Sequence, residues 1–365
     1  MKKILINARF LTKPISGVER YARNLVRALT EVKQNQYNFV LLTHHGKLID
    51  PPVNIKIIQD NSILTGHLWE QVRLPYLARK YKADVLWSPC NVGPVFAKKH
   101  IVTIHDASVF AGPQWFSKRF RMLYGVLLPI LGRRAKKIIT DSNFSKGELI
   151  KYRVTYEEKL QVLPGGMCDS FFVLNTPSSK KVFSFRYVLA MGSGNPRKNV
   201  TMLVSAWKQL SVKIKRDRKL VILGGESRAF SPDLLDSVPD DVYCPGFVDD
   251  KDLPVLYAGA DSFVYPSLYE GFGLPPLEAM ACGCPVVVSD AASLPEVCGD
   301  AAYYVDPYSV KSIAEGMYKV LSDGDLRQDL IKKGFERVKL FRWERTAKET
   351  LKVFAENINT EKGES

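Results

Sequence analysis

The sequence predicts an α/β protein made of two doubly wound domains. Short apolar, β-branched runs alternate with amphipathic segments, and this alternation is typical of parallel sheets with crossover helices. The 365 residues suffice for two domains at roughly 100–200 residues each. Because 46% of the residues are hydrophobic and 25% are charged, the composition is that of a globular protein and argues against a disordered or disulfide-stapled chain.

The first domain is predicted over residues 1–170, where seven runs favour strands. These runs are Lys3–Ile6, Phe39–Thr43, Ile55–Ile58, Asp84–Trp87, Ile101–Ile104, Lys137–Thr140 and Gln161–Leu163. Helical patterns lie between them at Val18–Val32, Leu68–Tyr81 and Ser117–Ala135. The chain starts with basic residues as a signal peptide does, but Asn7 and Arg9 end its apolar run too early, so a first strand is predicted.

The strand pattern restarts after the polar stretch Asn175–Lys181 and predicts a second domain over residues 183–342. Its runs are Tyr187–Met191, Leu220–Leu223, Ser262–Tyr265, Pro285–Val288 and Ala302–Val305. The final amphipathic segment, residues 343–358, has no strand after it, so we expect this helix to pack back on the first domain. Two such domains place a ligand cleft between them, and motifs are expected at the carboxyl ends of strands.

Charge is unevenly distributed along the chain. Its formal charge is +14, and residues 1–170 carry 27 basic and 12 acidic residues, so the first domain holds +15 and the remainder −1. This excess indicates an anionic partner: nucleic acid, a membrane surface or a phosphorylated substrate. The six cysteines lack the C-x2-C spacing of zinc sites and fit a reducing cytosol. The longest apolar stretch, Met122–Gly132, is about half the roughly 20 residues of a membrane span, so no span is predicted.

The most informative stretch follows the predicted strand Ser262–Tyr265. A turn with two glycines leads into two prolines, which suit the first turn of a helix. The backbone N–H groups of Phe272, Gly273 and Leu274 then point at whatever lies above the strand end. An anion such as a diphosphate fits this position.

Two carboxylates flank that turn. Glu270 precedes it and Glu278 lies inside the predicted helix, so they are expected to contact different parts of one ligand. Ionised carboxylates accept hydrogen bonds from the hydroxyls of sugars and ribose. The alternative is structural: Glu278 is a helical glutamate favoured by the helix dipole, and Glu270 is only a turn residue.

Two cations, Arg197 and Lys198, follow the predicted strand Tyr187–Met191 and its turn. At a strand's carboxyl end they can neutralise the charge that builds on a departing nucleoside diphosphate, as a metal ion does elsewhere. The alternative is a solvated basic turn. Gly192-Ser193-Gly194 lacks the third glycine of a dinucleotide fingerprint, and Asp250-Lys251-Asp252 fits a helix cap better than a metal site, so no metal or cofactor is predicted.

Three further residues lie at predicted strand or helix ends. His105 follows the strand Ile101–Ile104 and can hydrogen-bond a sugar or hold charge there, although a structural histidine is the usual alternative. Gly17 opens the first helix and permits close backbone approach to a ligand, although Ser16 also suits an ordinary N-cap. Phe247 can pack on a nucleobase or belong to the core.

The spacing E-G-F-G-L-P-x-L-E, followed by A-C-G-x-P-V-V, resembles the signature of the retaining family 4 glycosyltransferases, which have the GT-B fold. Matching segments extend this resemblance over nearly the whole chain: Ser16–Tyr21, Thr103–Asp106, Asp141–Lys146, Gly192–Asn199 and Pro245–Val248. Many relatives carry an arginine where Ser193 stands, and by resemblance Arg197 supplies that charge.

The resemblance implies that a sugar moves from a nucleotide donor to an acceptor with retained anomeric configuration and without a metal ion. It implies that Glu270 orients the donor hexose, that Glu278 binds the ribose, and that the base lies near Phe247. GDP-mannose is weakly favoured over a UDP-sugar. The implied acceptor is a glycan or lipid-linked glycan of cell-surface polysaccharide or lipopolysaccharide synthesis. The implied location is cytoplasmic, peripheral at the inner face of the plasma membrane.

Other interpretations remain open from the sequence. Another GT-B enzyme, a nucleotide-sugar epimerase or a phosphorylase, is one alternative, and a basic nucleic-acid-binding protein is another. The chain contains no recognisable nucleic-acid motif, so no nucleic-acid partner is predicted. The aromatic and basic residues of segment 115–137 suit an anionic membrane interface. The same segment also fits a crossover helix with a buried stripe and a charged outer face.

Overall fold

A computed structural model describes residues 1–32, 36–172, 182–192, 195–224 and 239–359. The chain divides into two compact units, which are Met1–Gly166 with Arg342–Ser365, and Met167–Phe341. The predicted polar stretch Asn175–Lys181, as well as Ser193 and Gly194, lies outside the described residues.

The first unit contains, in its described part, a seven-stranded sheet with the order β3-β2-β1-β4-β5-β6-β7, and all neighbouring strands run parallel. Its strands are β1 (Lys2–Asn7), β2 (Tyr37–His44), β3 (Lys56–Asp60), β4 (Val85–Ser88), β5 (His100–Thr103), β6 (Lys137–Thr140) and β7 (Leu160–Val162). Each lies on one of the predicted runs. Continuous apolar strands of this kind are expected where helices cover both faces of a parallel sheet.

The helices of the first unit are α1 (Gly17–Glu31), α2 (Gly66–Leu68), α3 (Leu74–Lys80), α4 (Ser108–Ala111), α5 (Lys118–Arg134), α6 (Asn143–Lys151) and the last helix of the chain, α14 (Trp343–Asn359). The helix predicted over Leu68–Tyr81 differs from the expectation, because a π-helical turn, Trp69–Arg73, separates α2 from α3. Pro75 has no N–H to donate to the carbonyl of Gln71, and the wider turn accommodates that loss.

Helix α14 packs on the first unit. The Trp343 ring lies 5.4 Å from the Tyr21 ring of α1, and the Phe354 ring lies 5.8 Å from Trp87 of β4. The Thr346 hydroxyl also donates to the carbonyl of Pro164 at 2.6 Å. The second unit is therefore an insertion between two parts of the first.

The second unit contains, in its described part, a six-stranded parallel sheet with the order β10-β9-β8-β11-β12-β13. This is the 3-2-1-4-5-6 order of dinucleotide-binding folds. Its strands are β8 (Arg186–Met191), β9 (Arg218–Leu223), β10 (Val242–Gly246), β11 (Ser262–Tyr265), β12 (Val286–Ser289) and β13 (Ala302–Val305). Strand β10 is not among the predicted runs, because it contains Pro245 and carries exposed residues at the sheet edge.

The helices of the second unit that the structure describes cover both faces of this sheet. They are α7 (Val200–Gln209), α8 (Val212–Lys215), α9 (Leu253–Gly259), α10 (Leu274–Ala281), α11 (Leu294–Cys298), α12 (Val310–Ser322) and α13 (Gly324–Val338). Along β8, Leu189 belongs to one apolar cluster, whereas Val188 and Ala190 belong to the other. Alternate residues of one strand thus face opposite layers.

The two parallel sheets flanked by helices confirm the predicted fold class. In each sheet the strand order reverses beside the unit's first strand, β1 or β8, and ligands of such sheets bind at the carboxyl ends of strands at that point. Among the described residues, no helix combines the length and the apolar character needed to cross a membrane.

Candidate active site

The loop after β11 has a backbone that only glycine tolerates at its last position. Gly273 has a φ of +101°, and a Cβ placed there would lie 2.6 Å from Cδ2 of Leu294. Helix α10 starts at the next residue, with prolines in its first turn as predicted. Its first backbone N–H groups lack partners within the helix, as at every helix start.

Glu270 is buried in this loop, and its carboxylate accepts three hydrogen bonds at one oxygen. Oε1 accepts from Nζ of Lys198 at 2.8 Å, from the Tyr265 hydroxyl at 3.0 Å and from the Ser267 hydroxyl at 2.5 Å. Among the described residues, no donor reaches Oε2. The structure thus brings two predicted site residues, Lys198 and Glu270, into direct contact.

The charges around Glu270 keep its carboxylate ionised. Burial raises the pKa of Glu270, but the attraction of Lys198 and Arg197 outweighs burial, so the pKa is lowered on balance. Burial also raises the pKa of the Tyr265 phenol well above its ordinary value. Tyr265 therefore stays protonated and donates to the carboxylate.

A single 3₁₀ turn, Pro196–Lys198, carries the two cations, and its ends are fixed by asparagine side chains. Asn195 accepts from the backbone N–H of Arg197 at 3.1 Å. Asn199 has a φ of +59° and donates to the carbonyls of Pro266 and Pro307 at 3.0 and 2.7 Å. These bonds connect the turn to the loops after β11 and β13.

Three buried serines, to which no role was predicted from the sequence, hold the loop in place. The Ser267 hydroxyl, which donates its one hydrogen to Glu270, also lies 3.0 Å from the carbonyl oxygen of Arg197, and Ser289 donates to the carbonyl of Ser267 at 2.6 Å. The Ser293 hydroxyl lies between the carbonyl oxygens of Glu270 and Phe272, at 2.9 and 2.8 Å, and shares its one hydrogen between them. Only the position of Ser289 at the carboxyl end of a strand could have indicated this role.

The other predicted residues of the second unit differ in exposure. Glu278 is buried in α10, and its Oε2 accepts from the Tyr257 hydroxyl at 3.1 Å. The ring of Phe272 packs edge-on against Phe341 at 5.6 Å, so only its backbone can serve a ligand. Phe247 follows β10 and is 76% exposed, which excludes the alternative that it is a core aromatic.

In the first unit, His105 is buried and both of its ring nitrogens have partners. Nδ1 lies 2.5 Å from Oδ2 of Asp141, and Nε2 lies 3.0 Å from the carbonyl of Pro89. Burial lowers the pKa of His105, but the Asp141 carboxylate outweighs burial and raises the pKa on balance. An imidazolium that donates from both nitrogens satisfies these contacts, so the ring offers a charge rather than an open hydrogen-bond donor.

Gly17 begins helix α1, and nothing around it requires glycine. A Cβ there would meet no atom within 4 Å, and its φ lies outside the left-handed region. Ser16 makes no side-chain capping bond; its hydroxyl donates to the carboxylate of Glu19. Ser16 is therefore the N-cap residue of α1 by position, as the alternative expected, but its side chain does not cap the helix.

Family models match both halves of the chain. The model described as Glycosyltransferase Family 4 matches residues 15–170, and the model described as Glycosyl transferases group 1 matches residues 176–337.

Relatives match the chain along most of its length. An O-antigen chain mannosyltransferase B of Escherichia coli is 30% identical in an alignment that covers 96% of this chain and 99% of that protein. An O-antigen chain mannosyltransferase RfbU of Salmonella typhimurium is 31% identical over 59% of each chain. A sucrose-phosphate synthase structure from Thermosynechococcus elongatus has a TM-score of 0.77 at 21% identity, covers 99% of this chain and 100% of its own, and has the same fold.

Proposed function

Because the chain belongs to the family 4 and group 1 glycosyltransferases of GT-B fold, we propose that it transfers mannose from GDP-mannose, with retained anomeric configuration, to a glycan or lipid-linked acceptor. The O-antigen mannosyltransferase that matches 96% of the chain supports the choice of sugar and of a cell-surface polysaccharide as product. The observation that carries the proposal is the ion pair between the partly buried Lys198 and the buried Glu270, which joins the loops after β8 and β11.

In the proposed reaction, the bond from the sugar's anomeric carbon to the phosphate oxygen breaks, and its electron pair leaves with the nucleoside diphosphate. The acceptor hydroxyl attacks from the same face, and its proton passes to the departing phosphate oxygen. Lys198, Arg197 and the start of α10 at Gly273 stabilise the developing negative charge. No protein nucleophile and no metal ion takes part.

Glu270 is proposed to orient the donor hexose. The side chains of Lys198, Tyr265 and Ser267 all bind its Oε1, so Oε2 is available to a sugar hydroxyl. Glu278 is proposed to bind the ribose, and the exposed Phe247 to contact the base. His105 is proposed to contribute positive charge near the reacting carbon.

The test is a thermal-shift screen with GDP, UDP and dTDP sugars, followed by transfer assays and NMR of the product's anomeric proton. We expect GDP-mannose to stabilise the protein by mass action and to give an α-mannoside from an α-linked donor. Activity should persist in EDTA. If chelation abolishes transfer and manganese restores it, the metal-free mechanism is wrong, and conversion of the donor without an acceptor would favour an epimerase or a phosphorylase.

We also propose that the first unit docks on an anionic membrane. Helix α5 exposes an apolar stripe to solvent, with Met122, Val126 and Ile130 spaced four residues apart, and it buries only residues of its last turns. The outer face of α5 is therefore apolar, in contrast to the alternative of a crossover helix with a charged outer face. Exposed basic residues, including Lys118 and Arg119, flank the stripe.

A second exposed stripe adjoins the first. Leu68, Val72 and Tyr76 are exposed at four-residue spacing on segment 66–80. The His67 ring meets the Tyr124 ring of α5 at 5.8 Å, so the two segments are neighbours. Apolar stripes with basic flanks suit a membrane interface that contains anionic lipid, where each basic residue contributes about 1 kcal/mol.

The docking test is pelleting with vesicles that contain phosphatidylglycerol. Changing Lys118, Arg119 and Arg133 to Glu should abolish pelleting, whereas the same change at Lys213, Lys251 and Lys311 of the second unit should not. High salt should release the wild-type protein. Failure of the wild-type protein to pellet at low salt would refute the membrane proposal, and salt-dependent retention on DNA without donor binding would favour a nucleic-acid role.

A further inference from the structure

A second polar cluster lies in the first unit, at the carboxyl ends of the neighbouring strands β1 and β4. Asn7 ends β1, Ser88 ends β4, and Nδ2 of Asn7 lies 3.4 Å from the Ser88 hydroxyl. Arg9 follows β1 directly in a 3₁₀ turn. This is the point where the strand order of the sheet reverses, which is where open α/β sheets bind ligands.

Glu70 organises this cluster from the π-helical turn. Its Oε1 lies 3.0 Å from Nε of Arg9 and accepts from Nδ2 of Asn7 at 2.9 Å, and its Oε2 lies 2.9 Å from Nδ1 of His67. Glu70 is 1% exposed and Arg9 is 6% exposed. The π-helical turn itself is held through Trp69 and Arg73, which both donate to Asp60.

The guanidinium of Arg9 has two terminal nitrogens without a hydrogen-bond partner in the described part of the chain. Glu70 occupies only Nε. Arg9 is buried as a residue, but these two nitrogens are not among the fully buried side-chain atoms that lack a partner, so they keep accessible surface and a ligand can reach their N–H groups. Gly66 lies beside the fork, since a Cβ there would come 4.0 Å from Nη1.

The charges around the guanidinium of Arg9 favour a ligand with neutral hydroxyls over an anionic ligand. The Arg9 guanidinium is already neutralised by Glu70, and the nearby Glu19 faces Lys13 at 4.0 Å. The Tyr124 ring borders His67 and stacks on Phe120 at 4.0 Å. A neutral set of fixed donors beside aromatic rings suits a sugar, which presents hydroxyls at its edge and C–H groups on its face.

We propose that Arg9, positioned by Glu70, donates from its two terminal nitrogens to hydroxyls of the terminal sugar of the acceptor, beside His67 and Tyr124. This inference rests on the proposed transferase function and specifies its acceptor as a neutral glycan end rather than a phosphate group. Tyr124 belongs to α5, so a lipid-linked glycan whose lipid lies at the α5 surface presents its sugar next to this cluster.

The test uses saturation-transfer NMR in the presence of GDP, with methyl α-mannoside and methyl β-N-acetylglucosaminide as probes. We expect at least one probe to bind the wild-type protein and to lose its signal in Arg9→Lys, which keeps the charge but loses the fork. Glu70→Gln should weaken the signal as well. Arg27→Gln, which removes an exposed arginine paired with Asp50, is the control and should leave the signal unchanged.

Kinetics give a second measurement. With the acceptor that supports transfer, Arg9→Lys should raise the acceptor KM on the order of 10-fold, as expected for losing a hydrogen bond to a charged group, with the KM for GDP-mannose unchanged. Glu70→Gln should also raise the acceptor KM more than it lowers kcat, a split that a merely structural role would not produce.

The outcomes separate this inference from the proposed function. Absence of probe binding to the wild-type protein, an unchanged signal in Arg9→Lys, or complete competition by inorganic phosphate would overturn the Arg9 assignment while stabilisation by GDP sugars still supports the transferase. If no nucleotide sugar binds or reacts, the proposed function fails instead. A circular dichroism spectrum and a thermal unfolding profile of Arg9→Lys that match those of the wild-type protein verify that the variant folds.

Discussion

Each unit has a cation–carboxylate pair with a buried carboxylate at the point where the strand order reverses, and the two pairs leave opposite groups open. In the second unit, the three donors around Glu270 all bind Oε1 and leave its Oε2 available. In the first unit, Glu70 uses both oxygens, and the terminal nitrogens of Arg9 are left. One pair thus presents an acceptor and the other presents donors.

This difference indicates that a buried ion pair alone does not define what its site binds. A buried pair is weak evidence for stability, because desolvation offsets the attraction between the charges. What distinguishes the two sites is which atoms the surrounding backbone and side chains have already satisfied. The comparison can be tested by removing single groups from each unit.

The largest effect is expected for Lys198→Ala in the second unit. Loss of a preorganised charge that stabilises the leaving diphosphate should lower kcat roughly 100-fold or more. The measurement is kcat at saturating donor and acceptor. Lys208→Ala, an exposed lysine near the end of α7, is the matched control and should retain the wild-type rate. A Lys198→Ala rate close to that of the control would remove Lys198 from the proposed mechanism.

Glu278→Ala should weaken donor and free GDP equally, because both contain the ribose. Losing hydrogen bonds to a charged group costs about 1.5–3 kcal/mol, which is on the order of 10- to 100-fold in affinity. Calorimetry with GDP measures this loss, and Glu315→Ala on the exposed face of α12 is the control. Unchanged GDP affinity would refute the ribose role. Glu270→Ala, in contrast, should reduce donor binding more than GDP binding.

The substitutions Gly273→Ala and Gly17→Ala should show which glycine is required for folding and which is required for ligand binding. Gly273→Ala should lower the free energy of unfolding by more than about 1 kcal/mol, because of its positive φ and the clash with Leu294. Gly17→Ala should leave that free energy unchanged or slightly raised, since a Cβ there meets open space. Chemical denaturation measures both. If the Gly17→Ala variant is as stable as the wild-type protein but has lower transferase activity, the result supports a ligand that approaches the backbone at Gly17. If the variant is less stable, the result contradicts the open space that the structure shows around Gly17.

The smallest effect is an opposite pH dependence of the two units. The pKa of Glu270 is lowered from 4.5, so its stabilising contribution is complete above about pH 4.5 and is lost as the pH falls through the lowered value. The pKa of His105 is raised from 6.5, so its contribution is complete below about pH 6.5 and is lost as the pH rises through the raised value.

Scanning calorimetry between pH 3 and pH 9 tests this dependence. Glu270→Gln should flatten the acid side of the profile, and Asp141→Asn should flatten the neutral-to-alkaline side. Profiles that both variants share with the wild-type protein would mean that neither group governs the response.

Most strands of the second unit and the loop after β11 could be predicted, because the residues that indicate them lie close together in the sequence. The strand β11, the two glycines and the two prolines follow one another within a few residues, so the turn and the helix start are visible in the sequence. A strand end was predicted before Phe247, but the bounds of β10 were not, because an edge strand with a proline lacks a continuous apolar run. The position of Lys198 was predicted from the end of β8, but its direct contact with Glu270 was not, since 72 residues separate them.

The cluster in the first unit could not be predicted for a related reason. Asn7 and Glu70 are 63 residues apart, and nothing near Glu70 in the sequence distinguishes it from an ordinary helical glutamate. Ser289 and Ser293 likewise act through backbone carbonyls that only the folded loop brings near them. Contacts of this kind depend on tertiary packing, which the local sequence does not encode.

Helix α14 has a consequence for the order in which the protein is made. The ribosome synthesises the whole second unit before this helix, so the second unit can complete its core while the first unit still lacks the partner that covers Trp87 and Tyr21. Until the helix emerges, those aromatic surfaces are open to chaperones or to other nascent chains. A stop codon placed before Trp343 should therefore yield a soluble second unit attached to an aggregation-prone first one.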